Sequence, residues 1–390
     1  MNEILGLGTD IWNVIIGLFL STVAVVTLVV IVRQKRAKYE HRRDRTDKLI
    51  EIVSKTLDKV PAALDPKNPP VLIEGFEEFE NKVKEALKLG ASFDVWKLVK
   101  FGNMQYIQGN VNDALIQLEN ALAKSESEKN TLARTVCLGN IGMIYKTKGD
   151  LEAALRHFYS ALGMNRDIGN RMGEADQLGN IGLVHLEKGN LELAQAYMRS
   201  ALLVDKEIEN RRGQAACLGN IGLILQNQDR PDSAFESHRE ALRLHREIDY
   251  ELGAADNLSN IGVILMGRGD FDGALAHHEE ALNIYKAGNY RYKVAQQLGN
   301  IGLVYKAKGE PEQALGYLKQ ALSIFVDIGH RQDQARTLTH IGMVYRDKGD
   351  LQLALKHLRE ALDILETHGL IQGRDTIIQA IAELKSEGKR

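Results

Sequence analysis

From residue 95 onward apolar positions recur every three to four residues, and the whole arrangement recurs every forty. The short period predicts amphipathic helices; the long one predicts a stack of like units, each burying its apolar face only against a neighbour. The most regular stretch is Leu-Gly-Asn-Ile-Gly at 138–142, repeated at 178–182, 218–222 and 298–302, with variants at 258–262 (LSNIG) and 338–342 (LTHIG). Seven residues after its second glycine comes a turn residue, Gly149, Gly189, Asp229, Gly269, Gly309 or Gly349. Alanine follows five later, from Ala154 to Ala354, and Ala-Leu seven after that. Each unit therefore predicts a helix, a tight turn, a second helix and a polar loop. Seven units are expected, at 95–128, 135–168, 175–208, 215–248, 255–288, 295–328 and 335–368, giving an all-α solenoid.

The segments outside the array differ in pattern. Residues 11–32 carry no charged side chain, a run long enough at 1.5 Å per residue to span a bilayer core of about 30 Å. One transmembrane helix is expected there. The leader 1–10 holds Glu3 and Asp10 and no cation, whereas Arg33, Lys35, Arg36, Lys38, Arg42, Arg43, Arg45 and Lys48 follow the run. That asymmetry argues against a cleaved signal and puts the C-terminal side in the cytoplasm. The same cations could meet anionic headgroups, but topology alone accounts for them. A basic juxtamembrane stalk helix is expected over 33–60, with Leu49, Val53 and Leu57 as its apolar stripe, then a Pro-rich linker at 61–72. A capping helix over 73–90, packed on the first unit or free, precedes the array; a C-terminal cap and polar tail occupy 369–390.

The set Leu138, Gly142, Tyr145, Ala154, Phe158 and Ala161, with its equivalents in each unit, resembles the tetratricopeptide repeat over about three quarters of the chain. The period of forty and the Gly-Asn-Ile-Gly core are similar to a long-repeat subgroup that includes the Partner-of-Inscuteable adaptors and kinesin light chain. The resemblance implies a right-handed superhelix with a concave peptide groove, and asparagines that hold a ligand's backbone.

The residues themselves give a parallel account. Gly142 and its equivalents, opposite Ala154 and Ala161, let paired helices approach closely. If Leu138, Ile141 and Tyr145 face the second helix, Gly139, Asn140 and Met143 turn to the concave side. Asparagine both donates and accepts, so Asn140, Asn180, Asn220, Asn260 and Asn300 are expected to form a ladder. Helices stacked at about 10 Å set one rung per three residues of an extended chain rising about 3.3 Å per residue. Asparagines bridging neighbouring helices are the competing reading. His340 and Thr339 break the ladder in the last unit. Flanking charges include Asp176 and Asp256, Lys146 near one end, and Lys306, Arg336 and Arg346 near the other, so either the C-terminal half accepts an acidic segment or these charges form a solvated face. Arg171, Arg211, Arg291 and Arg331 recur between units.

With 50 basic and 52 acidic residues, the chain lacks the excess of cations that marks a nucleic-acid binder. Cys137 and Cys217 sit at equivalent core positions two units apart, roughly 20 Å at that stacking distance, too far for a disulfide. His157, His277-His278 and His357 fall on faces read as exposed and have no carboxylate set at metal spacing. No cofactor, metal or catalytic constellation is expected. The function expected is a membrane-anchored adaptor that binds an extended peptide or protein tail. Its competitor is a self-associating scaffold, its groove secondary or occupied by residues 61–90.

Overall fold

The computed structural model describes residues 22–58, 60, 76–89 and 91–387, and every regular element among them is helical. Helices α1 (Thr22–Leu57) and α2 (Phe76–Lys88) precede fourteen helices arranged as pairs. The pairs are α3 (Val95–Ile107) with α4 (Val111–Ser127), α5 (Thr131–Thr147) with α6 (Leu151–Asp167), and α7 (Arg171–Glu187) with α8 (Leu191–Glu207). They continue as α9 (Arg211–Asn227) with α10 (Pro231–Glu247), α11 (Glu251–Gly267) with α12 (Phe271–Ala287), α13 (Arg291–Ala307) with α14 (Pro311–Asp327), and α15 (Arg331–Asp347) with α16 (Leu351–Thr367). Helix α17 (Arg374–Glu387) follows.

Local chemistry sets the helix ends. Asn130, Asn170, Asn210, Asp270 and Asp350 each accept a hydrogen bond from the amide three residues on, satisfying a donor that the helix cannot. Within a pair the first helix ends on a left-handed residue: Gly149 has φ +79, and Asp229 adopts φ 55 in the unit without glycine. Gly149 N–H then donates to the Lys146 carbonyl and Asp150 N–H to that of Tyr145, closing the last turn.

The mid-helix glycines mark where the two helices of a pair touch. A Cβ on Gly142 would lie 2.6 Å from the Phe158 ring, one on Gly222 2.6 Å from the His238 ring, and one on Gly302 2.8 Å from Leu318 Cγ. The close approach is thus made chiefly to the residue four after the recurring alanine. Phe158 is fully buried there, a burial that contributes about 1.5–3 kcal/mol.

The chain divides into two compact bodies, 1–164 and 165–390, the division falling near the end of α6. In the first, α1 is a single helix running well beyond a short stalk. Leu49, Val53, Leu57 and Val60 pack with Phe79, Val83 and Ala86 of α2 and with Phe93, Phe101 and Met104, so both helices cap the array. Since α2 is docked in this cap through Phe79, Val83 and Ala86, its share of the proposed groove-occupying segment 61–90 is committed elsewhere; residues 61–75 lie outside the described residues. Residues 11–21 of the expected membrane span also lie outside them. Among the described residues no helix is long and apolar enough to cross a membrane.

In the second body the first helices of successive pairs touch one another, α7 with α9, α9 with α11, α11 with α13 and α13 with α15, while successive second helices make no comparable contact. The stack therefore curves with its first helices on the concave side. The lysine or arginine following α11, α13 and α15 latches to an acid 36 residues earlier: Arg268 to Asp232 at 2.6 Å, Lys308 to Asp272 at 2.9 Å, Lys348 to Glu312 at 2.6 Å. Two of the inter-unit arginines serve similarly, Arg171 pairing with Glu207 and Arg291 with Asp327, rather than standing ready for a ligand. Ile377, Ala380, Ile381 and Leu384 of α17 cover Leu358 and Leu365 at the far end.

Candidate functional site

The concave wall of the second body carries the motif asparagines, and they do not share one environment. Asn180, Asn260 and Asn300 are half-exposed, and among the described residues their side chains make no hydrogen bond. Asn220 is 6% exposed, its Nδ2 donating to Met198 Sδ at 3.8 Å. Asn140, in the first body, is 4% exposed and donates to Asn103 Oδ1 at 2.9 Å. The expected five-rung ladder is therefore corrected. Asn140 and Asn220 are turned to protein partners, as the competing reading had it, and three rungs in the second body face outward.

The residue 38 positions after each small residue beside an asparagine decides whether that small residue has open space above it. Gly219 lies under Asn257, whose Oδ1 is 3.2 Å from where a Cβ would stand. Ser259 accepts from Gln297 Nε2 at 2.6 Å. The corresponding residue for Gly179 is Cys217, too short to cover it. For Gly299 it is Thr337, whose hydroxyl donates to the Asp333 carbonyl instead. A Cβ on Gly179 or Gly299 would meet nothing within 4 Å.

Three residues after the asparagines, and after His340, runs a row equivalent to Met143 of the expected concave set: Leu183, Leu223, Val263, Leu303 and Met343. All are partly exposed, Val263 at 41%. Side chains three apart on a helix are neighbours, so each open amide has an aliphatic group beside it. The same forty-residue register carries this row, and it could have been read there.

The expected cationic end is largely neutralised. Lys306 lies 3.1 Å and Arg346 3.5 Å from the single carboxylate of Asp347, and Arg336 pairs with Asp333. Burial, with Arg336 and Lys306 close by, holds His340 down to about 4, so it stands neutral among them. Three cations against two carboxylates leave a small excess rather than a strongly basic patch. Asp256 is likewise engaged, by the Tyr285 hydroxyl at 2.6 Å and Lys293 at 2.9 Å. Lys146 is half-buried in the last turn of α5, in the first body.

The histidines correct a second expectation. His278 is fully buried, not exposed, because it takes the place of Phe158 against the glycine of its pair, Gly262. Its Nδ1 sits 2.9 Å from Gln297 Oε1, and burial holds the ring down to about 4. His238 occupies the preceding unit's equivalent, 3.1 Å from Asn257 Oδ1. These rings belong to the packing between units. Cys137 and Cys217 are free and buried, and burial pushes the Cys137 thiol up to about 12. Among the described residues no three His, Cys, Asp or Glu side chains come together as a metal site.

Family models described as tetratricopeptide repeat match residues 137–168, 175–247, 253–326 and 298–367, between them more than half of the chain. No curated protein matches it in sequence. Among solved structures, it is similar to a signal-transduction ATPase with numerous domains bearing a tetratricopeptide repeat sensor, from Pyrococcus horikoshii. That similarity has 16% identity and a TM-score of 0.60, covering 88% of this chain and 50% of the other. The apo form of RapI is similar at 13% identity and a TM-score of 0.57, covering 70% and 99%. A Rap protein complexed with competence and sporulation factor is similar at 12% identity and a TM-score of 0.54, covering 90% and 98%. These identities speak to fold alone. With the family models matched unit upon unit onto the helical pairs, the chain belongs to the tetratricopeptide repeat family.

Proposed function

We propose that the chain is a membrane-tethered adaptor. Its second body captures an extended peptide or protein tail on the concave wall and so localises a protein complex at the membrane. The observation that carries this reading is the pair of open rungs: Asn180 and Asn300 each stand half-exposed, without an internal partner, beside a glycine facing open space. An amide that can donate and accept, next to a gap with no Cβ, suits another backbone. Leu183, Val263 and Leu303 give that backbone's side chains an apolar seat. The similar Rap protein complexed with competence and sporulation factor is a precedent for a ligand on such an array. A cytoplasmic, single-pass tether rests on the uncharged run 11–32 and the cations after it. The role is a binding one, without catalysis.

Crosslinking and pull-down from membranes tests the reading. Asn180→Ala, Asn260→Ala and Asn300→Ala together should abolish partner capture with helicity intact, whereas Asn140→Ala with Asn220→Ala should cost stability and spare capture from the folded fraction. Capture undiminished by the first set would place binding off the concave wall. One observation favours self-assembly instead: Ile371 and Ile378 at the C-terminal end are 80% and 44% exposed. Under that reading, Ile371→Ser with Ile378→Ser would reduce the particle to a monomer.

A further inference from the structure

Helix α1 is unbroken from Thr22 to Leu57, and its ends meet different surroundings. The C-terminal end is docked through Leu49, Val53 and Leu57. Docking reaches back to Arg45, which pairs with Glu85 of α2, and to Arg42, whose guanidinium donates to the Lys88 carbonyl at 3.3 Å. Before Arg42 the helix leaves the body: Arg33, Lys35, Arg36, Lys38 and Glu40 are all exposed.

Ion pairing changes along the same helix. Lys48 pairs with Asp44 at 3.0 Å, Arg43 with Asp47 at 3.9 Å and Arg36 with Glu40 at 3.0 Å. Arg33, Lys35 and Lys38 have no carboxylate partner among the described residues, and the sequence holds no acidic residue between Asp10 and Glu40. At about 100° per residue, Arg33 points to one side of the helix, and Lys35 and Lys38 to the other. A helix lying flat on a membrane needs one charged and one apolar face. Cations on opposite sides, directly after an uncharged run, suit a helix that passes through a layer of negative charge.

We propose that Arg33, Lys35 and Lys38 form a collar binding the phosphates of anionic phospholipids where α1 emerges from the bilayer, while the cations from Arg42 onward hold α1 to itself and to α2. The collar rests on the membrane reading above. From Lys38 to the docked Leu49 the same helix advances about 16 Å at 1.5 Å per residue, so the bound lipid also fixes how far the first body stands from the surface.

The full chain, reconstituted into nanodiscs of phosphatidylcholine doped with phosphatidylglycerol, is assayed for the ratio of the two lipids against empty discs. Phosphatidylglycerol should be enriched about twofold at low ionic strength and not in high salt. Arg33→Gln, Lys35→Gln and Lys38→Gln together should abolish the enrichment, while Arg43→Gln with Lys48→Gln should keep it. Enrichment that survives the first set, or is lost equally in both, overturns the collar. A chain that enters discs of pure phosphatidylcholine but never enriches the anionic lipid overturns the collar alone. One that enters neither kind of disc overturns the membrane reading and the collar together.

Discussion

Residues 218–222 and 298–302 are the same five amino acids on equivalent first helices, yet Asn220 is buried against Met198 and Asn300 is half-exposed with no partner. The difference comes from residues outside the motif. Before Asn220, the preceding second helix offers a thioether; before Asn300 it offers His278, already bonded to Gln297. After Gly219 comes Asn257, long enough to cover it, and after Gly299 comes Thr337, folded onto its own helix. A repeat motif thus sets where an asparagine stands, and its neighbours decide whether it is available.

The largest effect should follow from filling the paired glycine of the closed unit. Gly222→Ala drives a methyl into the fully buried His238 ring, which cannot swing aside, and overpacking of this kind should cost about 1–3 kcal/mol in denaturant unfolding. Of similar size is Asn257→Cys, which gives this unit the short residue that leaves Gly179 uncovered. Asn257 sits 3.1 Å from both His238 and His245 Nδ1 and donates to the Gly253 carbonyl at 2.8 Å. Losing those partners in a buried site should cost about 1–3 kcal/mol and expose Gly219, which hydrogen exchange would register.

The histidine beneath the open rung gives a pH signature. Burial, opposed by the Gln297 hydrogen bond and aided by His277, lowers His278 from 6.5 to about 4. Between those values the unfolded chain binds a proton that the folded one refuses, so stability is complete above about pH 6.5 and declines as pH falls toward 4. His278→Leu, the residue found at the next unit's Leu318, should flatten the acid side of a melting-temperature profile; an unchanged slope would assign it to other groups. The smallest effect lies in the turns between units, where Gly329 has φ +72 and Glu209 holds φ 56. Glu209→Gly should stabilise by about 1 kcal/mol, since side chains other than glycine disfavour this conformation.

The sequence displays the array openly because a forty-residue period is enforced at many positions at once. The cap was less visible. Leu49, Val53 and Leu57 announce an apolar stripe, but nothing local names Phe79, Val83 and Phe101 as what it meets. At the site, the motif points to the asparagines yet hides the burial of Asn140 and Asn220, which depends on side chains 37 residues before one and 22 before the other. His278 misleads for a related reason: histidine reads as polar, while its register position is that of buried Phe158.

The open rung is tested most directly by adding one methyl group at each of two positions. Gly179→Ala with Gly299→Ala places each methyl where nothing lies within 4 Å, so helix propensity should raise stability, by about 1 kcal/mol per site. If these glycines admit a ligand backbone, the doubly substituted chain should melt higher than wild type and fail to capture its partner from membranes. A more stable chain that captures its partner undiminished would contradict the account.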